Sequence, residues 1–298
     1  MGDRTRSLTA VLILPGLSCL LAVEVSALPG GRQSKSDKDI DAIGRRDIVH
    51  EKKSLNWFSV DHEKEIGKQY SVAVEQSNKG LHSTYLTEYV ARIAETIARN
   101  SDVQMPVTVR LLDSEEVGAF TLPGGYQYIT RGLLLRLENE NELASVLARG
   151  IAHTALRSAT RLMTREAWAN VGSIPLIYTG SNLPPNNTSH DVIPLAMLSF
   201  RRGFELEADY FGVQYVYKAG YNPEGMIHLL ERAWPATTTA TALSPFPPTP
   251  DRLKALDKEI ADLLPSRQGD IVSTPEFENF KQALRAWAPK ATVGVKPE

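Results

Sequence analysis

Residues 148–157 read Ala-Arg-Gly-Ile-Ala-His-Thr-Ala-Leu-Arg and lie within a longer stretch of helical period. Apolar residues in that stretch recur three and four positions apart, at Leu143, Val146, Leu147, Ile151 and Leu156. This spacing places them on one face of an α-helix, which is predicted to begin near Asn139 and to reach Arg161 or beyond.

His153 is the residue of this helix with metal-binding chemistry. Zinc hydrolases often use two histidines four residues apart on one helix, with a glutamate directly after the first. The spacing puts both imidazoles on one face, and the glutamate can activate a metal-bound water. Here those two other positions hold Arg149 and Gly150. A lone helical histidine is more often a core or rim residue than a ligand, so this spacing alone does not establish a site.

A pair of acidic residues lies on a second predicted helix. Glu205 and Asp209 are four residues apart and share a helix face. One could ligate a metal while the other orients a ligand. The alternative is a solvated acidic face, which is the commoner meaning of such a pair.

The rest of the chain predicts an α+β protein that is mostly helical, with one small β-sheet. The Pro-Gly-Gly sequence at 123–125 separates two of its three short strands, so a hairpin or meander is expected. Helices are predicted at about 59–76, after Ser83, at 198–219, after Asn222-Pro223, after Thr249-Pro250 and at 275–287; strands at 107–112, 119–122 and 126–130; and loops at 173–195 and 237–250.

Composition excludes several classes of protein. The chain has 298 residues, 33 Lys+Arg and 35 Asp+Glu, for a formal net charge of −2, and 42% of its residues are hydrophobic. These values are ordinary for a folded domain and argue against a disordered, collagen-like or polytopic membrane protein. The near-zero charge gives no electrostatic case for nucleic-acid binding.

The N-terminus has the pattern of a secretory signal. Arg4 and Arg6 precede an apolar stretch from Leu8 to Val23, and the small residues Val25-Ser26-Ala27 follow. Pro15-Gly16 interrupts the apolar stretch, which is shorter than the ~20 residues of a spanning helix. We therefore expect export to the periplasm or the extracellular space, with no integral membrane span in the mature chain. The alternative is an uncleaved anchor that leaves the protein associated with a membrane.

Five collinear segments give this chain a resemblance to a known family. They are AFTLPGGYQYITRGLL (119–134), NELASVL (141–147), IAHTALR (151–157), ELEADYFG (205–212) and AGYNPEGM (219–226). In type and order they resemble metallopeptidase family forty-eight, which includes HtpX, the CAAX prenyl endopeptidases and the BepA-type proteases. The resemblance covers about residues 56–260 and implies a zincin-like metallopeptidase domain.

The resemblance also implies roles for particular residues. His153 matches the second zinc-binding histidine, Glu205 the glutamate that supplies the third ligand, and Asp209 the acid one turn later that supports the site from the second shell. The strand at Ala119, Phe120, Thr121 and Leu122 matches the edge strand along which an extended substrate peptide lies. The implied cofactor is zinc, and the implied partners are extended polypeptide segments.

The departures from the family pattern fall on its most demanding positions. Arg149 stands in place of the first zinc-binding histidine and Gly150 in place of the general-base glutamate. Three further family residues, two histidines and an asparagine, are replaced by Phe246, Ser158 and Gly118. A guanidinium stays protonated and offers no lone pair to a metal. No catalytic residue is therefore intact, and zinc is expected to be absent or weakly bound.

Several outcomes are consistent with this pattern. The preferred one is an exported pseudoprotease, inactive or weak, that binds extended peptides in envelope protein quality control, with Arg149 paired to Glu205 or Asp209. The others are an active zinc endopeptidase with a third ligand outside the motif, a non-enzymatic assembly protein, and an Arg149 side chain that extends to solvent. The predicted organisation is a signal peptide at 1–27, a flexible linker at 28–55, the metallopeptidase-like domain at 56–265, and a C-terminal helix and tail at 266–298.

Overall fold

The computed structural model describes residues 36–49, 55–169, 195–233 and 250–287. Within them the chain forms a helical domain around one small sheet, as expected for the zincin-like class. The helices are α1 (Val60–Ser77), α2 (Thr84–Arg99), α3 (Arg131–Arg136), α4 (Glu140–Ala155), α5 (Ser158–Ala169), α6 (Leu195–Lys218), α7 (Gly225–Ala233), α8 (Pro250–Leu263) and α9 (Pro275–Ala286); the strands are β1 (Thr108–Leu112), β2 (Ala119–Thr121) and β3 (Tyr126–Thr130). None of the helices in these ranges is long and apolar enough to cross a membrane.

Local sequence signals explain where several helices begin. The hydroxyl of Ser59 accepts a hydrogen bond from the backbone N–H of His62 at the start of α1, and Ser83 does the same for α2. Thr274 caps α9, whose first residue is Pro275. Such caps satisfy N–H groups that have no partner within the helix. The helix starts were therefore readable from the sequence.

Helix α4 is the centre of the core. Every residue of α4 is buried except Arg149 and His153, which are half-buried. The helix packs against α2, α6 and α7 and lies beside β2. Because α4 is enclosed on nearly all sides, Arg149 and His153 are the two of its side chains that solvent partly reaches.

The sheet has the order β1-β3-β2. Strands β2 and β3 form the expected antiparallel hairpin, with Phe120 opposite Tyr128. The alternative of a meander is wrong, because β1 pairs with β3 in parallel rather than with β2. The turn between β2 and β3 uses Gly124 and Gly125 with φ of 73° and 86°, where glycine avoids steric cost.

The single long helix predicted from Asn139 to Arg161 is wrong, since the chain breaks between α4 and α5. Arg157 adopts a left-handed backbone conformation with φ of 52°. Its side chain compensates for this strained conformation: Nε donates to Glu63 Oε2 at 2.6 Å and Nη2 donates to the carbonyl of Phe58 at 2.7 Å. Apolar periodicity continues through the break and conceals it. The short helix α3 was also absent from the prediction.

Both ends of the described chain pack on the same core. Arg46, within the predicted linker, is buried and donates to Asp102 at the end of α2 and to Gln214 of α6. In α9, Phe280 is buried and stacks on Tyr89 with ring centroids 4.7 Å apart. The folded unit therefore includes residues 36–49 and α9, beyond the 56–265 range. The predicted signal peptide and the loops at 173–195 and 237–250 lie wholly or largely outside the described residues.

Candidate functional site: an arginine-bridged acidic pair

Two helices bring the predicted residues of the charged site together. Helix α4 carries Arg149, Gly150 and His153, and α6 packs along it with Glu205 and Asp209. Because each pair of residues is three or four positions apart, the side chains of α4 and α6 face one another across the helix interface. The positions of these residues in the sequence did not predict the distances between their side chains.

Arg149 contacts both acids, so its expected pairing is confirmed. Its Nε donates to Asp209 Oδ1 at 2.8 Å, and its Nη2 forms a short hydrogen bond with Glu205 Oε2. The Arg149 side chain is 15% exposed and that of Asp209 is 3% exposed. The alternative of an Arg149 side chain extended to solvent is wrong.

Arg252 of α8 completes the centre, the name used below for the cluster of Arg149, His153, Glu205, Asp209 and Arg252. Its Nε and Nη2 donate to the two carboxylate oxygens of Asp209 at 2.5 and 2.9 Å. Its Nη2 also lies 3.7 Å from Glu205 Oε2. The sequence prediction did not include this residue. The available signal was its position four residues before Leu256, which places it on the buried face of α8.

His153 lies beside Glu205 rather than beside a metal ligand set. Its Nε2 is 3.4 Å from Glu205 Oε1. Burial alone would raise the pKa of Glu205, but the imidazole of His153 and the guanidinium groups of Arg149 and Arg252 hold that pKa well below its usual range. Glu205 is therefore a carboxylate surrounded by positive groups.

This set of residues does not fit a resident zinc ion. Zinc sites in enzymes usually have three protein ligands. In the described ranges, no group of three or more His, Cys, Asp or Glu residues is arranged to hold a metal. The oxygens of Glu205 and Asp209 that face α4 already accept from Arg149, whose fixed charge opposes a divalent cation.

The other replaced family positions are placed as follows. Gly150 is buried in α4 and presents no carboxylate. Ser158 is buried at the start of α5. Gly118 exchanges hydrogen bonds with Thr130, whose backbone N–H and hydroxyl both donate to its carbonyl at 3.0 Å. Phe246 lies outside the described residues.

Strand β2 forms the free edge of the sheet beside α4. In the described part of the chain it pairs only with β3. Leu122 N donates to Tyr126 O and Thr130 N donates to Gly118 O, so the even-numbered residues bond to β3. Because hydrogen-bonded pairs alternate along an antiparallel ladder, the backbone N–H and C=O of Ala119 and Thr121 point to the open edge.

The side chains of this edge are partly exposed and largely apolar. All four residues from Ala119 to Leu122 are half-buried. The ring of Phe120 stacks on Tyr128 at 5.0 Å between centroids, and Leu122 and Tyr126 pack on the same cluster. An extended peptide could pair with this edge as an added strand, since the edge offers backbone hydrogen-bonding groups together with an apolar surface.

Comparison with known proteins agrees with this architecture. A model of Peptidase family M48 matches residues 85–260. The chain is 28% identical over 185 residues to the β-barrel assembly-enhancing protease of Yersinia pestis, and 27% identical over 187 residues to that of Escherichia coli strain K12. Both alignments cover 59% of this chain and 38% of the relative, so the chain spans well under half the length of these proteins.

A third relative comes from a eukaryote. The mitochondrial metalloendopeptidase OMA1 of Schizosaccharomyces pombe is 27% identical over 226 residues, which cover 74% of this chain and 66% of the relative. The family match spans more than half of the chain and covers nearly all of the stretch from α2 to α8, with the sheet and the five residues of the centre, which are Arg149, His153, Glu205, Asp209 and Arg252. The chain therefore belongs to peptidase family M48, a family of zinc metallopeptidases with the zincin-like fold.

Proposed function

We propose that this chain is an exported pseudoprotease of family M48 that holds extended peptides along β2 and does not cleave them. The observation that carries the proposal is the Arg149 guanidinium, which donates to Glu205 and to Asp209 from the helix position of the first zinc-binding histidine. A protonated guanidinium replaces the charge of a metal ion without its Lewis acidity.

Loss of hydrolysis follows from two replacements. Arg149 offers no lone pair, so His153 and Glu205 are the only motif ligands that remain. Gly150 offers no carboxylate to take a proton from water, and general acid–base assistance alone is worth about 10²–10⁴-fold in rate. A family member that lacks both the metal and the general base retains only the surface along β2, where a peptide can bind.

Peptide binding is supported by the geometry of β2. The outward backbone groups of Ala119 and Thr121 match the requirements of strand addition, in which main-chain hydrogen bonds give affinity and side-chain contacts give selectivity. The apolar surface around Phe120 and Leu122 favours a peptide with apolar side chains at alternate positions.

The proposed location is the cell envelope. It rests on the secretory pattern of residues 1–27 and on relatives named for enhancing β-barrel assembly. We infer a role in envelope protein quality control, in which unfolded segments present extended, apolar stretches.

The first test is the metal content of the purified protein. We expect much less than one zinc per chain by elemental analysis, and no casein cleavage. The variant Arg149→His/Gly150→Glu serves as a comparison that restores the motif. Stoichiometric zinc together with casein cleavage by the unaltered chain would overturn the proposal in favour of an active endopeptidase with a third ligand outside the motif.

The second test is photocrosslinking with an extended apolar peptide that carries a photoreactive group. We expect the crosslinked residue, located by mass spectrometry, to lie within 119–128. Crosslinks confined to surface loops distant from β2 would instead support a non-enzymatic assembly protein.

A further inference from the structure

The side chain of Gln127 lies inside the molecule against α4. Gln127 belongs to the central strand β3 and is 3% exposed. Its Nε2 donates to the carbonyl of Leu147 at 3.5 Å, the limiting length of a hydrogen bond. A hydrogen bond of this length adds little to the stability of the protein. The buried position of the Gln127 amide therefore needs another explanation.

That location is the space in front of Gly150. A Cβ atom added at position 150 would lie 2.6 Å from Cδ, 2.7 Å from Nε2 and 2.9 Å from Oε1 of Gln127. These distances are well inside van der Waals contact, so any side chain at position 150 would have to displace the amide. Gly150 lies in mid-helix, where alanine ordinarily favours the helix over glycine. The contact with Gln127, rather than helix propensity, is therefore the reason we give for the glycine at position 150.

We infer that Gln127 is a positioning residue of this site: its side-chain amide fills the volume that a side chain at position 150 would occupy, and thereby closes the general-base position. Residues 127 and 150 then form a matched pair beside Arg149. This inference deepens the proposed function and rests on it, because it predicts that restoring the two motif residues alone does not restore the centre.

The pair is tested first by thermal unfolding of a double-mutant cycle. In the unaltered background, Gly150→Ala should gain less Tm than alanine ordinarily gains over glycine, because the new methyl group has to displace the Gln127 amide. In the Gln127→Ala background the same change should raise Tm by about 2–4 °C, the usual gain of alanine over glycine in a domain of this size. Gln127→Met, which keeps the bulk without the amide, is the matched control and should keep the gain of Tm equally small. Equal shifts of Tm in all three backgrounds would overturn the inference.

A second measurement separates a role in the site from simple packing. Zinc retained after dialysis is compared between Arg149→His/Gly150→Glu and the same variant with Gln127→Ala. We expect the triple variant to retain several-fold more zinc per chain, because the new carboxylate no longer has to displace the Gln127 amide. Equal retention would contradict the positioning role.

Failure of this inference is distinguishable from failure of the proposed function. Loss of peptide crosslinking would overturn peptide holding while the Tm coupling between positions 127 and 150 stayed intact. Additive Tm shifts would overturn the pair while crosslinking at β2 was unaffected.

Discussion

At the scale of single residues, the centre shows how a buried acidic pair is matched by cationic side chains. Asp209 is enclosed by two arginines, with Arg149 on one side and Arg252 on the other. Each guanidinium provides several donors in fixed directions, so it satisfies carboxylate oxygens as well as neutralising them. A buried carboxylate that loses such a partner is strongly destabilising.

Removing the Arg149 guanidinium should therefore reduce stability. Arg149→Met keeps most of the side-chain volume but leaves Glu205 without its short hydrogen bond. We expect the free energy of unfolding to fall by about 3–5 kcal/mol, measured by urea denaturation. Arg99→Met, on the exposed face of α2, is the control and should change it by less than about 0.5 kcal/mol. Similar effects of the two substitutions would show that Arg149 has no part in the core.

Glu259 of α8 gives a pH dependence with a defined sign. Burial, with a contribution from Asp209, raises the pKa of Glu259 to about 9. The unfolded state releases this proton near the ordinary glutamate pKa of 4.5, so between the two pKa values the folded state binds more protons. The stability contributed by this group is therefore lost as pH rises through that interval.

Glu259→Gln should remove that slope. It keeps the acceptor that Gln214 Nε2 uses at 3.4 Å, and we expect it to stabilise the protein by about 1–3 kcal/mol at pH 8, with no gain near pH 4. Asp257→Asn, exposed on the same helix, is the control. Urea titrations at both pH values measure the effect, and a gain that is constant with pH would contradict it.

Sequence reasoning could find only part of this centre. The spacing of Glu205 and Asp209 and the family resemblance indicated which residues belong to it, and the charge of Arg149 indicated its partners. Gln127 carried no such signal and Arg252 only its position on the apolar face of α8, because an arginine or a glutamine is ordinarily exposed. Their burial arises from packing between elements that are distant in sequence.

At the scale of elements, the edge strand offers a test of peptide binding that leaves the sheet intact. Thr121→Pro removes an N–H that points away from β3, so the ladder to β3 keeps its bonds. We expect peptide affinity to fall by about tenfold, since one hydrogen bond contributes about 1.4 kcal/mol, with little change in Tm. Fluorescence anisotropy of a labelled extended peptide measures the affinity.

The matched control for that substitution is Thr121→Val, which keeps the N–H and the size of the side chain. It should bind the peptide as the unaltered chain does. Unchanged affinity in Thr121→Pro would exclude main-chain pairing at this edge.

The elements show where periodicity succeeds and fails. Strand β3 and the starts of α2 and α9 occur where the pattern and caps predict them. The break at Arg157 and the parallel pairing of β1 with β3 were not predicted. Apolar periodicity predicts which face of a segment is buried. A single residue with positive φ breaks a helix without changing that periodicity, so the break is not predicted.

At the scale of the whole molecule, residues 36–49 attach the start of the described chain to the helices of the centre. Arg46 forms a buried ion pair with Asp102, which also accepts from the hydroxyl of Tyr215 at 2.9 Å. Gln214 accepts from Arg46 at 2.9 Å and donates to Glu259. Through these contacts, residues 36–49 join the end of α2, helix α6 and helix α8. The composition of this segment alone had indicated a linker.

Breaking that attachment should destabilise the entire domain. We expect Arg46→Ala to lower the free energy of unfolding by about 3–5 kcal/mol, because Asp102 would be left buried without its cation. Arg45→Ala, which changes the exposed neighbour, should alter it by less than about 0.5 kcal/mol. Urea denaturation followed by circular dichroism measures both, and equal effects would show that the segment is only loosely attached.

The two arginines at the centre also change what the chain requires in order to mature. A metalloenzyme reaches its final stability only after its ion has been delivered, whereas this centre receives its positive charge with the polypeptide itself. Refolding from urea should therefore give the same yield and the same Tm in EDTA as in added zinc. A cell starved of zinc would then accumulate this protein as readily as a well-supplied one, and a yield that falls with chelation would contradict that expectation.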